Sequence, residues 1–332
     1  GGDLPLPAIG PGEQAAVAIP GSLPPSSAAG QRILTIRFLL GEATAWAPVA
    51  HEMGWSQLVL DPHPTASSSD GWAGDVALDD EGCLLHPSFA ASPALSVWRA
   101  PTDNDRIGGM AERWAAWGLS ALRRSLDTVE RAANATTVRV TWTTAAGIAI
   151  PHVQRYATGA NGRIRVEETV EVPNILGDLP RIGTVLELAP GFEDVEWFGR
   201  GPHETYPDRR RGGRLGRWHS TVTNLLTPYV KPQENGGRAD VRWIRLGSPS
   251  AAVRIDLDEP RQVSALHVRA ADLATATHDV EVRPRSETIV HLDAAHRGLG
   301  TASCGPDTLP EYVLRPGRYS WAWTVTTEPG AR

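Results

Sequence analysis

Apolar and polar residues alternate with period two through most of this chain. Val138, Val140 and Trp142 alternate with polar neighbours, as do Ile164, Val166, Val170 and Val172 around Glu168. Val253, Ile255 and Leu257 repeat the pattern, Leu266, Val268, Ile289 and Leu292 fall in later runs, and Tyr319, Trp321, Trp323 and Val325 share one face of a last run. Period two puts every second side chain on the same side of a strand. Asn161-Gly162 between two runs signals a hairpin turn, because both residue types accept positive φ. Short strands at roughly 8–12-residue spacing predict a large antiparallel sandwich from residue 73 to the end. One helix is expected, over 109–126, with Met110, Trp114, Trp117 and Leu122 on about one side.

The first part of the chain reads differently. Residues 1–29 are rich in Pro, Gly and Ala, and two apolar runs follow, at 33–40 (ILTIRFLL) and 55–60 (WSQLVL). Turns at Trp46-Ala-Pro and His51-Glu-Met separate them. Two or three strands cannot close a core alone. Residues 1–62 are therefore expected to be part of a small sandwich whose other strands lie upstream. The composition of DPHPTASSSD (61–70) marks a linker, placed at 63–72. The chain opens on Gly1, and the reading is of a fragment.

Composition narrows the partners. With 332 residues the chain has room for two domains, and 41% apolar with 21% charged residues is ordinary for a soluble globular protein. A net charge of −6 argues against nucleic acid as a partner, since that would need a basic surface. Lys231 is the one lysine, which fits GC-rich codon usage better than selected surface ion pairing. Cys83 and Cys304 lie far apart without metal-ligand spacing and read as two reduced thiols. No apolar run nears the ~18 residues of a membrane-spanning helix, and no signal peptide opens the chain, so a cytoplasmic location is expected.

Candidate chemistry concentrates in 195–243, where Trp197, Trp218, Trp243, Tyr206 and Tyr229 stand among Gly, Pro, Asn and Asp. That mixture describes tight turns pinned on a sheet. Glu204, Asp208 and Glu234 would form an acid/base pair if their loops converged ~5–10 Å apart. The plainer reading binds them to Arg200, Arg209 and Arg238 as turn-holding forks. His203 beside Glu204 is the one histidine placed for proton transfer, though a loop histidine usually just hydrogen-bonds. The histidines lack metal-binding spacing, so no metal site is expected. Most of the tryptophans are expected in the core, with Trp46, Trp72 and Trp98 left as candidates for a sugar-stacking surface. In WRAPTDNDRIGG (98–109), Asp103, Asn104 and Asp105 look like a helix-capping segment, and Gly108-Gly109 makes the loop able to bend. No Ser-His-Asp order, phosphate-binding loop or dinucleotide fingerprint is present.

Several of these segments resemble the large bacterial β-galactosidases of glycoside hydrolase family 2. The stretch 195–243 is similar to the most recognisable part of their C-terminal domain, and AWAPVAHEMGWSQLVL (45–60) to the end of the small sandwich before it. WRAPTDND (98–105) resembles the opening of that domain, and HRGLGTASCGPDTLPEY with GRYSWAW (296–312, 317–323) its closing strands. The resemblance implies an all-β, galactose mutarotase-like antiparallel super-sandwich over 73–332, preceded by a partial small immunoglobulin-like β-sandwich over 1–62. It also implies catalytic glutamates, Mg2+ and Na+ ligands on an upstream barrel that is missing here, since nothing alternates helix and strand. This chain would then hold no catalytic residue and no cofactor, and its partners would be that barrel and a galactoside at the pocket rim, with homo-oligomerisation left open. Rim candidates carried over by the resemblance are Asn104, Asp105, Gly108, Gly109, Ser303 and Cys304. Cys304 stands where some members have a Trp that stacks on the sugar leaving group, implying a smaller subsite. Two other readings stay open: a free-standing aldose epimerase using His203 and Glu204, and a carbohydrate-binding module.

Overall fold

Two antiparallel strands, β1 (Ile33–Leu39) and β2 (Glu52–Val59), form the sheet of the first of two compact units, which divide after Pro64. The computed structural model describes residues 2–22, 31–61 and 71–330, so 63–70 of the expected linker lie outside the described residues. Register runs from Ile33 opposite Val59 to Leu39 opposite Glu52, and Arg32 clasps Asp61 at 2.7 Å where the pair opens. β2 begins three residues earlier than its apolar run, at Glu52, where a turn is expected from sequence. Phe38, Leu39, Met53, Leu58 and Val59 are exposed, and among the described residues of this unit there is no second sheet to cover them.

The second unit carries twelve strands: β3 (Phe89–Ser96), β4 (Leu122–Ala132), β5 (Ala135–Thr144), β6 (Ala149–Thr158), β7 (Ile164–Val172), β8 (Arg181–Leu188), β9 (Asp194–Gly201), β10 (Arg214–Thr221), β11 (Arg238–Gly247), β12 (Ala251–Leu266), β13 (Thr288–His296) and β14 (Gly317–Pro329). Every pairing is antiparallel, as the alternation predicts. β12 is long enough to fork the sheet. Its first half pairs with β14, leading on to β7, β6, β5 and β4, and its second half pairs with β13, leading to β8 and β3. The two leaves face each other, for the Trp321 indole N–H on β14 donates to Thr184 Oγ1 on β8 at 2.9 Å. Val166, Val170, Ile255, Val290, Leu292 and Trp323 fill the space between. Each such side chain stabilises the fold by about 1.5–3 kcal/mol, far more than an exposed ion pair.

A buried carboxylate interrupts this core. Glu168 on β7 accepts from the indole nitrogens of Trp323 at 2.8 Å and Trp321 at 3.1 Å, from Gln154 Nε2 at 3.3 Å and from the Thr184 hydroxyl. His152 Nε2 lies 3.0 Å from its other oxygen. The Trp142 indole N–H donates to His152 Nδ1 at 3.2 Å, which leaves Nε2 on the side of the carboxylate. Burial pushes the Glu168 carboxyl up, but the bonds from His152, Thr184 and Trp323 outweigh it and hold the group below the usual range.

The expected helix over 109–126 is shorter than its periodicity promised. A separate short helix, α1 (Asp103–Ile107), precedes those bounds, and within them only α2 (Met110–Ala116) forms, with Met110 and Trp114 as its buried face. Gly118 ends it at φ 69°, where a Cβ would come within 2.7 Å of the Ala146 nitrogen. Leu122 and Leu126, read as helical, alternate instead along edge strand β4. The tryptophans also depart from expectation. Trp114, Trp142, Trp197, Trp321 and Trp323 are buried, while the others are part-buried or, at Trp46, exposed. Trp72 is half covered, with the Arg163 guanidinium 5.5 Å from its ring centre. Trp98 packs against the core.

Candidate functional site

The loop after β3 and the loop after β13 are sewn together by two buried arginines. Arg99 grips Asp105 with both arms of its guanidinium, at 2.7 and 3.1 Å, and also donates to the carbonyls of Arg297 and Gly298. Asp105 in turn closes a capping box with Thr102 at the start of α1. Arg297 reaches Asp178 at 3.0 Å, Asp307 at 3.0 Å and the Thr308 hydroxyl at 2.7 Å. All three guanidinium nitrogens of each arginine have partners, the condition under which buried charge is tolerated.

On this base the two candidate rim segments meet. Asn104 Nδ2 donates to the Gly300 carbonyl at 2.7 Å, while its Oδ1 accepts from the Ser303 N–H at 3.0 Å and from the Ser303 hydroxyl. Gly108 lies against the same loop, where a Cβ would stand 3.3 Å from that of Ala302. Gly109 adopts φ 75°, which only glycine takes without strain. Gly300, at φ 70°, donates its N–H to Asp208 at 2.8 Å. Ser303 and Cys304 are both exposed. Six sequence-predicted residues, Asn104, Asp105, Gly108, Gly109, Ser303 and Cys304, thus fall on two abutting loops, with Asp105 buried beneath them.

The acid/base candidates do not converge. Glu204 is spent on its own loop, accepting from Arg209 at 2.5 Å, the Gly236 N–H at 2.9 Å and the Tyr229 hydroxyl. His203 beside it is exposed and makes no hydrogen bond among the described residues. Of the three expected forks only Glu204–Arg209 forms. Arg200 goes to Asp240 at 2.5 Å, Arg238 lies over the Trp197 ring at 5.2 Å, and Asp208 serves Gly300. Glu234 binds Arg181 at 3.2 Å, an arginine it shares with Asp293. The reason is register: Arg238 opens β11 facing the core, while Arg181 opens β8 directly under the Glu234 loop.

A histidine and an acid do approach each other in the interior. His296 Nε2 lies 3.8 Å from Glu234 Oε1, with both side chains at 5% exposure or less. The Tyr206 ring, centred 5.3 Å away, packs against His296. Burial pushes the Glu234 carboxyl up, but Arg181 and His296 overcome it and hold it at about 2. A carboxylate so stabilised is a poor proton donor at neutral pH. Among the described residues no three His, Cys, Asp or Glu side chains gather to hold a metal ion, and no helix is long and apolar enough to cross a membrane. Sequence reasoning missed Arg99, Arg297 and Arg181. Their one signal was an arginine inside an apolar or Gly-rich run, as in Trp98-Arg99-Ala100 and His296-Arg297-Gly298.

The described residues form a forked antiparallel sandwich with two loops tied together at one face, and Glu204, Asp208 and Glu234 do not face one another on it. Comparison with known proteins gives the chain a family. Residues 67–325 match the β-galactosidase small chain model and residues 1–61 the model of β-galactosidase domain 4, so the chain belongs to the β-galactosidase small-chain family. A β-galactosidase of Arthrobacter sp. (strain B7) is 31% identical over 345 residues, covering 88% of this chain and 33% of the relative. One from Aeromonas hydrophila is 31% identical over 318 residues, covering 84% and 30%. The chain therefore spans about a third of the length of the curated relatives it matches. Among solved structures, the GalM/aldose epimerase homologue from C. elegans aligns over 62% of this chain and 69% of its own, at 12% identity and a TM-score of 0.36. Galactose 1-epimerase from Lactobacillus acidophilus NCFM aligns over 91% and 100%, at 9% and 0.34. Scores this low carry no argument about chemistry.

Proposed function

We propose that this chain is the non-catalytic part of a family 2 β-galactosidase, working with a barrel outside this sequence that supplies the two carboxylates for retaining hydrolysis of terminal β-galactosides such as lactose. The observation that carries this reading is the pair of family matches, which together cover nearly the whole chain while the chain amounts to a third of its relatives. The geometry supports it. Glu204, Asp208 and Glu234 are each committed to structural bonds, and the loops at 104–109 and 300–305 are held out on a rigid base, as the rim of a pocket requires. In this reading Asn104, Gly108, Gly109, Ser303 and Cys304 face the galactoside, Asp105 fixes them from below, and any Mg2+ or Na+ is held by the barrel. A cytoplasmic location and a role in lactose breakdown belong to the same proposal.

The test is complementation. The isolated chain should release no nitrophenol from a nitrophenyl galactoside above the buffer rate, and co-expression with the upstream two-thirds of a relative should restore turnover. Turnover by the repurified chain alone would overturn the reading. Accelerated galactose anomerisation, abolished by His203→Ala, would replace it with an epimerase.

A further inference from the structure

Three neighbouring strands lose their regularity at one place. On β11 the register slips on both sides of Val241, and Asp240 takes φ 54°, rare for any residue but glycine. The adjacent β12 carries Pro260, which has no N–H for the ladder. On the far side of β12, β13 slips register between Asp293 and Ala295. A cleft of about 330 Å3 opens where these interruptions coincide, walled by 239–240, 260–262 and 293–296 and closed by 207–210, 311–314 and Tyr319. Bulges gather beside binding sites because they re-aim side chains that a regular strand would bury. Three at one spot are not required by the fold, since β9 and β11 pair without a slip further along the same sheet.

The walls indicate what would fit. Arg210 is neutralised by Asp240 at 3.4 Å and Arg261 by Asp258 at 3.0 Å, and buried Asp293 is held by Arg181 at 3.0 Å, so neither arginine of the wall is free to hold an anion. Tyr312 and Tyr319 add apolar ring surface. Deeper, Gln262, Asp293 and His296 are each more than nine-tenths buried. Gln262 Oε1 and Asp293 Oδ1 have no hydrogen-bond partner, although Gln262 is fixed by Thr205 and Asp293 by Arg181, whereas His296 Nε2 is turned to Glu234 at 3.8 Å. Balanced donors and acceptors around apolar rings match a ligand with hydroxyls on its edge and C–H groups on its face. The volume is at the lower end of the ~300–1,000 Å3 of small-molecule sites. We propose that this cleft binds a neutral hexopyranose, at a site separate from the rim formed by the 104–109 and 300–305 loops. The inference does not depend on complementation with a barrel.

Saturation-transfer NMR on the whole chain tests it, with galactose as ligand and glycerol as a generic polyol. The expected result is saturable transfer to galactose ring protons with a Kd of about 1–10 mM, and none to glycerol. Glu311→Ala and Tyr312→Ala, each checked for an unchanged melting temperature, should weaken binding about fivefold or more. Val280→Ala, on an exposed turn outside the cleft, should leave it unaltered. Absence of saturation, equal transfer to glycerol, or full binding by a folded Glu311→Ala would each overturn the proposal. So would loss of binding in Val280→Ala, which would put the sugar outside the cleft.

Discussion

Glu168 and the Arg99–Arg297 knot are both buried charge, and they are built in opposite ways. Around Glu168 a single carboxylate is met by donors from Trp321, Trp323, Gln154 and Thr184, on strands whose register places Trp321 and Gln154 directly opposite it. Around Arg99 and Arg297 the charges are paired, and their partners come from loops. The first arrangement is held by the sheet and would persist without it. The second joins the loops to each other, helped by bonds made by the loops themselves, such as Asn104 to Gly300 and Ser303. Buried ionic groups are therefore a cost borne by the core in one place and the source of order in the other.

The strongest way to break this contrast is to remove Arg99. Arg99→Met keeps most of the volume but leaves Asp105 buried without its cation, a loss of about 3–5 kcal/mol. Denaturant unfolding measures the total. Hydrogen exchange should show that 98–109 and 297–305 open first, while β5, β6 and β7 stay protected. Uniform loss of protection would mean that the knot supports the core after all.

Glu168→Gln sharpens the other side, with a smaller expected cost of about 2–3 kcal/mol, because the amide NH2 would confront donors where the carboxylate accepted from them. Its pH dependence gives an independent check. The folded carboxyl is held below its ordinary value, so its contribution is full above the unfolded pKa of about 4.3 and drains away as pH falls below it. The Gln variant should show a shallower acid limb in melting temperature against pH. An unchanged limb would mean the site is protonated in the folded protein.

The contrast also explains what the sequence discloses. Strands β5, β7, β12 and β14 were legible because alternation is local, and even Glu168 stood out as a charge at an apolar position. The helix was overextended because Leu122 and Leu126 are four apart, a spacing that also suits one face of an edge strand; only the contact of Gly118 with Ala145 and Ala146 decides between them. Asn104 and Ser303 were picked out only through resemblance. Their meeting across 199 positions, like that of Arg99 with the Arg297 carbonyl across 198, leaves no periodic trace. Glu204 with Arg209, five apart, was within reach of local reading, and it was read correctly.

The gentlest change tests whether the loop knot or the Asn104 bridge orders the rim. Asn104 is part-exposed, so Asn104→Ala should cost about 1 kcal/mol or less in global stability. Its local effect should be larger, because the Ser303 N–H and the Gly300 carbonyl lose their partners together. Asn104→Asp separates the two bonds, keeping the acceptor for Ser303 while setting a carboxylate against the Gly300 carbonyl, and it should loosen 300–305 more than alanine does. Ser303→Ala retains the backbone bond and should loosen it least. Amide exchange at residues 300–305 gives the order directly. If all three variants exchange like the unaltered chain, the arginines alone set the rim and the bridge is incidental to it.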